Sequence, residues 1–163
     1  MKFILIDRII SLEPSKWIKA VKSVSLAEEY LADHFPTFPV LPGVLLLEGL
    51  IESASWLVRH AENFAHSMIL LNRAVNVKYR SFLAPGSKIE YTIEVKAIEE
   101  RVSSFWGFGQ SQGERIVEAK LGLRHFNLSE QNAAMAVVDS TVTENMKKRW
   151  KLLWQPDERP NQA

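Results

Sequence analysis

Cysteine is missing from all 163 residues, which excludes disulfides and thiolate chemistry and removes the usual ligands of a structural zinc site. The fold must be held by its core. An excess of one charge is missing too: 20 Lys and Arg face 19 Asp and Glu, a formal net charge of +1, so no global field favours nucleic acid. Long apolar runs are also absent. The longest strongly apolar stretch, Pro39 to Leu47, falls far below the ~20 residues that a membrane-spanning helix needs. The start Met1-Lys2-Phe3-Ile4-Leu5-Ile6 is interrupted by Asp7 and Arg8 and followed by no small-residue cleavage site, so it reads as a strand and not as a secretory leader. The expectation is a single domain of ordinary size in the cytoplasm, with no transmembrane segment.

Phe3 to Leu12 and Trp17 to Val24 are β-rich and separated by the turn Glu13-Pro14-Ser15-Lys16, as a hairpin or as two successive strands. From Ser25 to Pro42 the chain reads as irregular, with Pro36, Pro39 and Pro42 restricting the backbone. Val44 to about Phe64 reads as one long helix. Its first two turns are apolar on every side (Val44, Leu45, Leu46, Leu47, Leu50, Ile51), which predicts enclosure, whereas Arg59, His60 and Glu62 predict a far end in solvent. The period then changes from 3.6 to 2: Ile89, Tyr91, Ile93 and Val95 alternate with polar residues. Strands are expected over Met68–Tyr79, Lys88–Arg101, Ser103–Gln110 and Ile116–Phe126, giving an α+β layout with a sheet curled around the helix. Thr143 to Trp154 reads as a helix with Met146, Trp150, Leu153 and Trp154 on one face. A membrane-surface role would fit its basic residues, but a tryptophan stripe covering the parent domain is the preferred reading.

The stretch from His34 to Glu48 places a titratable base, a Pro-Gly helix start and a lone carboxylate within fifteen residues. Each suits one part of a reaction that removes a proton beside a carbonyl while water leaves or arrives one carbon away. Histidine has the unperturbed pKa closest to neutrality. A helix start offers free amides and the positive end of a dipole to a developing oxyanion, and Gly43 lets a carbonyl approach closely. Glu48 is the lone ionisable group in the apolar turns, and burial would favour its protonated form.

These residues resemble the hotdog-fold 3-hydroxyacyl-(acyl carrier protein) dehydratases of the FabZ/FabA type. The likeness rests on Phe3-Ile4-Leu5-Ile6-Asp7-Arg8-Ile9, on His34-Phe35-Pro36 followed by Pro39, Pro42-Gly43-Val44 and Glu48, and on Val77-Lys78-Tyr79-Arg80 with Pro85-Gly86. It covers residues 1 to about 127 and implies a hotdog domain over 1–128, with 129–163 as a partly helical C-terminal extension. It further implies reversible dehydration of (3R)-hydroxyacyl thioesters, carried on acyl carrier protein or CoA, to trans-2-enoyl thioesters in fatty acid or related acyl-chain synthesis. The resemblance also implies that no metal and no organic cofactor take part. His34 is the expected base, Glu48 the acid and Gly43 the oxyanion donor. In that family the histidine of one subunit meets the carboxylate of the other, so the resemblance implies a homodimer with two shared sites, with further assembly open.

Phe38, Val40, Leu41, Pro42, Val44 and Trp56 are candidates to line an acyl tunnel or bind substrate, although such residues fill cores as often. Lys78, Arg80 and Lys88 are candidates for contact with an acidic carrier. Asp33 and Thr37 replace the glycines usual in the resembled family, and Glu52 replaces a glutamine. Asp33 would raise the basicity of His34 or tighten its loop, whereas Glu52 would compete with Glu48 for a proton or serve as a hydrogen-bonded structural residue. His60, His66 and His125 show no metal-ligand spacing and read as ordinary. Two competing functions remain: a thioesterase on the same fold, and a non-catalytic acyl-binding or scaffold module.

Overall fold

The computed structural model describes residues 3–157; Met1, Lys2 and the end of the expected extension, 158–163, lie outside them. Six strands form one antiparallel sheet: β1 (Arg8–Glu13), β2 (Trp17–Ser23), β3 (Met68–Tyr79), β4 (Lys88–Ile98), β5 (Val102–Ser111) and β6 (Glu114–Phe126), in the order β1-β2-β4-β5-β6-β3. Between β2 and β3 come a short helix α1 (Tyr30–Asp33) and the 19-residue α2 (Gly43–Ala61). After β6, two single 3₁₀ turns lead into α3 (Ala136–Leu153).

The sheet holds α2 because apolar residues repeat on both partners at matching periods. Leu46, Leu50, Ala54 and Leu57 recur every three or four residues along α2 and are buried. They meet Ile18, Ala20, Ile89, Tyr91, Ile93, Phe105, Val117, Ala119 and Leu121, the inward residues of β2, β4, β5 and β6. The approach is closest at Gly49, where an added Cβ would lie 2.4 Å from the Tyr91 ring. Glycine is required there by that contact, despite its cost to helix propensity. This is the hotdog arrangement.

The β1–β2 connection is a hairpin, with Ile9 opposite Ala20 and Ser15 at φ 58° in the turn. Three expectations change. Phe3 to Asp7 is not strand: Asp7 instead accepts from the Ser23 amide at 2.7 Å and from Lys22 Nζ at 3.4 Å, which fixes the segment by a side chain. The loop between β2 and α2 contains α1, which buries Tyr30 and Leu31. The last helix begins at Ala136, seven residues before the expected Thr143. Its early turns are rich in β-branched residues and poor in helix propensity, so pattern alone hides them. Asp139 secures them by accepting from the amides of Leu128 and Ser129, both at 2.9 Å, and from the Ser67 hydroxyl.

α3 lies on the parent domain. Trp150 stands 5.1 Å from the His60 ring and 6.1 Å from the Trp56 ring, and stacks on Trp154 at 5.5 Å. The tryptophan stripe thus covers α2. Among the described residues no helix is long and apolar enough to cross a membrane.

Candidate active site

His34 follows α1 directly, at the head of the proline-rich loop. Its Nδ1 donates to the Val40 carbonyl at 3.0 Å, which fixes the ring and leaves the Nε2 lone pair as the available base. The next residue, Phe35, has φ 51°, a left-handed conformation that costs a bulky residue of order 1–3 kcal/mol and is held by its surroundings. Those surroundings are the Phe38 amide donating to the Phe35 carbonyl at 2.8 Å and the Leu41 amide donating to Leu83 at 2.8 Å. Val40 and Leu41 are 1% and 3% exposed. They anchor the loop in the core and do not line a tunnel, so the tunnel expectation is corrected for both. Asp33 does not reach the imidazole; the ring's hydrogen bond goes to Val40, six residues on.

Gly43 opens α2 directly after Pro42. The amides of Leu45 and Leu46 both turn back to the Pro42 carbonyl, at 2.9 and 3.1 Å. The amides of Gly43 and Val44 belong to the first turn, which has no intrahelical acceptors, and so point their donors and the positive end of the dipole outward. An added Cβ at Gly43 would sit 3.3 Å from the Tyr79 ring. The aromatic closes over a position that only glycine fits without displacement.

Glu48 lies in the second turn of α2 and lines a cavity of about 460 Å³ with Ile51, Glu52, Ser55, Trp56, Arg59, Ile69, Leu70, Leu71, Met146 and Arg149. Its side chain is exposed in the single chain, and Val44, one turn earlier, is 69% exposed. Enclosure of the first two turns therefore holds for Leu46, Leu50 and Ile51 and fails for Val44 and Glu48. The sheet covers one side of α2 and α3 covers another, leaving this stripe uncovered. Even so, the apolar walls and the neighbouring Glu52 push the Glu48 carboxyl above its ordinary range, desolvation first and the like charge second. His34 does not line this cavity: one chain holds the two groups in separate places.

The other candidates divide. Trp56 is buried at 2% and borders the Glu48 cavity. Phe38 is 59% exposed and meets Phe82, itself 70% exposed, edge to face at 6.1 Å. Lys78 and Arg80 converge with Arg115 on the buried Glu118, at 3.4, 2.7 and 3.3 Å. The sequence reading missed Arg115 and Glu118, because an antiparallel pairing that sets Lys78 opposite Glu118 is invisible to local spacing.

The far end of α2 does not enter solvent. Arg59 is buried and donates to the carbonyls of His66 and Ser67, and His60 lies beneath Trp150. Glu62 accepts from His66 Nδ1 at 2.8 Å and from His125 Nδ1 at 2.6 Å, while His125 Nε2 meets Ser103 Oγ at 2.8 Å. His66 and His125 are therefore partnered and not ordinary, whereas His60 Nδ1 is buried without a hydrogen-bond partner among the described residues. Glu62, His66 and His125 are also close enough to share an ion, but each carboxylate oxygen already takes one imidazole N–H, so the network is complete without one.

Comparison with known proteins bears on the family and the fold. A family model described as a FabA-like domain matches residues 1–120. The 3-hydroxyacyl-(acyl-carrier-protein) dehydratase FabZ of Mannheimia succiniciproducens is 32% identical over 120 residues, covering 73% of this chain and 80% of its own length. That of Campylobacter curvus is 32% identical over 125 residues, covering 73% and 84%. Among solved structures, the dehydratase heterocomplex ApeI:P from Xenorhabdus doucetiae superposes with TM-score 0.66 at 18% identity, over 82% of this chain and 90% of that one. The thioesterase HI1161 from Haemophilus influenzae gives 0.56 at 15%, over 73% and 78%. The fold is thus shared by dehydratase and thioesterase alike, whereas the sequence match selects one of them: the chain belongs to the FabA-like family.

Proposed function

We propose that this protein catalyses reversible dehydration of (3R)-hydroxyacyl thioesters on acyl carrier protein or CoA, in the cytoplasm, through two sites shared across a homodimer. His34 Nε2 of one protomer takes the proton from C2. The C2–H electron pair forms the C2=C3 bond as the C3–O bond breaks, and the departing hydroxyl takes the proton of Glu48 from the other protomer to leave as water. Charge that builds on the thioester oxygen meets the Gly43 amide at the α2 start. Pro42 and Val44 flank that amide, and Phe38 and Trp56 border the acyl path. Hydration is the reverse, with Glu48 as base towards water and His34 returning the proton.

The observation that carries this reading is the incomplete half-site on one chain: a raised, uncovered carboxyl on α2 beside the free edge of the sheet. β3 is the outer strand next to β6, and its Leu70 and Leu71 are 46% and 41% exposed. A 12-residue free edge with exposed leucines invites a second strand, and two-fold pairing of β3 with its copy would cover Glu48 with the partner's loop. The proline-rich loop supplies the complementary half, an oriented imidazole beside exposed aromatics. Lys78, Arg80 and Arg115 outnumber the one carboxylate they share, Glu118, and the net positive charge left there would suit an acidic carrier.

The test is incubation with crotonyl and 3-hydroxybutyryl thioesters, following the conjugated enoyl absorbance and free thiol together. Interconversion without thiol release is expected, and His34→Ala and Glu48→Gln should each lower it by about 10²–10⁴ with the fold intact. Thiol release without interconversion would replace this reading with a thioesterase. Inactivity with every acyl length on both carriers would favour a binding module.

A further inference from the structure

The family model ends at residue 120, yet the cavity that holds Glu48 is walled on one side by Met146 and Arg149 of α3. Arg149 Nη2 donates to Glu52 Oε1 at 2.9 Å, and Glu52 lies one helical turn beyond Glu48, within reach of its field. Two carboxyls at that spacing in a partly apolar cavity do not ionise independently; they compete for a proton. Which of them keeps it decides whether Glu48 can protonate a leaving hydroxyl.

We propose that Arg149 is a positioning residue for the proton donor: by clamping Glu52 as an anion, it leaves the contested proton on Glu48. This rests on the dehydratase reading, in which Glu48 is the acid. Burial keeps the Glu52 carboxyl above its ordinary range, and Arg149 is the largest influence opposing it, ahead of the Trp56 side chain and the Leu5 backbone. The ionised Glu52 then pushes Glu48 up. Other charged groups do not take over this part. Lys22 on β2 acts weakly on Glu52 and is engaged by Glu28 at 2.5 Å and Asp7 at 3.4 Å. Arg59 borders the cavity but spends its guanidinium on backbone carbonyls. β3 contributes only Ile69, Leu70 and Leu71 to the cavity wall. The resembled dehydratases usually carry glutamine at the Glu52 position, which cannot compete for a proton and needs no clamp. Here the glutamate and the arginine of the extension form one device.

The experiment is a carboxyl-carbon NMR titration of Glu48 in the full chain, beside the pH profile of dehydration, for wild type, Arg149→Ala, Arg149→Lys, Glu52→Gln and Arg149→Ala with Glu52→Gln. Arg149→Ala should move the Glu48 midpoint, and the alkaline limb of kcat/KM, to lower pH by about one unit, as the proton passes to Glu52. Arg149→Lys should restore most of the shift. Glu52→Gln should itself lower the midpoint, and adding Arg149→Ala to it should change nothing more. An unmoved Glu48 midpoint in Arg149→Ala overturns the proposal, and so does an equal shift in both backgrounds, since Arg149 would then act without Glu52. Should Arg149→Ala fail to fold, Arg149→Gln, which keeps the side-chain bulk and loses the charge, makes the same test with the same expected and overturning results. The titration needs no turnover, so a wild type that does not dehydrate defeats the functional reading and leaves this coupling to be judged separately.

Discussion

The two edges of the sheet are treated in opposite ways. Beside β1 the chain returns on itself: Trp154 bridges Ile9, the amides of Gln155 and Asp157 donate to the Ile9 and Ile10 carbonyls, both at 3.1 Å, and Arg8 pairs with Asp157 at 3.3 Å. Beside β3 nothing among the described residues does this, and Leu70, Leu71 and Tyr79 remain 46%, 41% and 48% exposed. An unpaired strand edge is a template for further pairing. Residues 154–157 thus close one edge, while the longer, more apolar one stays open among the described residues. On the proposed reading, a second protomer would pair there and complete a site whose halves one chain holds apart.

The most damaging way to break the contrast is to put charge on the open edge. Leu70→Asp with Leu71→Asp is expected to give folded monomers by analytical ultracentrifugation and to lower dehydration at least about 100-fold, because separated His34 and Glu48 share no substrate and each general acid or base is worth about 10²–10⁴. Retained dimers with full activity would mean that β3 is not the interface.

A smaller effect is expected where the extension is anchored. The three hydrogen bonds that Asp139 accepts hold its carboxyl well below the ordinary range against the opposing effect of burial. A folded-state pKa depressed in this way adds stability that is fully present above the unfolded value and is lost as pH falls through the folded one. The window lies below about pH 4. Asp139→Asn should flatten the fall in unfolding free energy across that window while leaving the midpoint of the Glu48 titration in place; an unchanged acid slope would mean that Asp139 is not held as described.

The smallest effect is expected at the closed edge. Ending the chain at Leu153 removes the two backbone bonds to Ile9 and Ile10 and should cost about 1–3 kcal/mol by denaturant titration, with dimer and activity preserved. Loss of the dimer there would show that the two edges have been given each other's roles.

The sequence made one half of this molecule readable. The alternation over β4 and the unbroken apolar period of α2 each specify an element by themselves, and the His34 to Glu48 spacing is local. What escaped it is what depends on distant partners. Glu118 meets Lys78 and Arg80 only because β3 and β6 pair in a particular register, and Glu62 meets His125 across 63 positions. The far end of α2, charged in sequence, is covered because Trp150 of a later helix lies on it. Glu48 departs in the other direction: apolar neighbours in sequence imply burial, but among the described residues its side chain borders an open cavity and is exposed.

The central claim is tested most directly by mixing two dead subunits. His34→Ala and Glu48→Gln proteins, each inactive alone, should regain activity when unfolded together and refolded in equal amounts: half of randomly paired dimers are mixed, and each mixed dimer holds one intact site of two, so about a quarter of the wild-type rate is expected. A mixture that forms dimers and remains inactive would contradict a site shared between protomers.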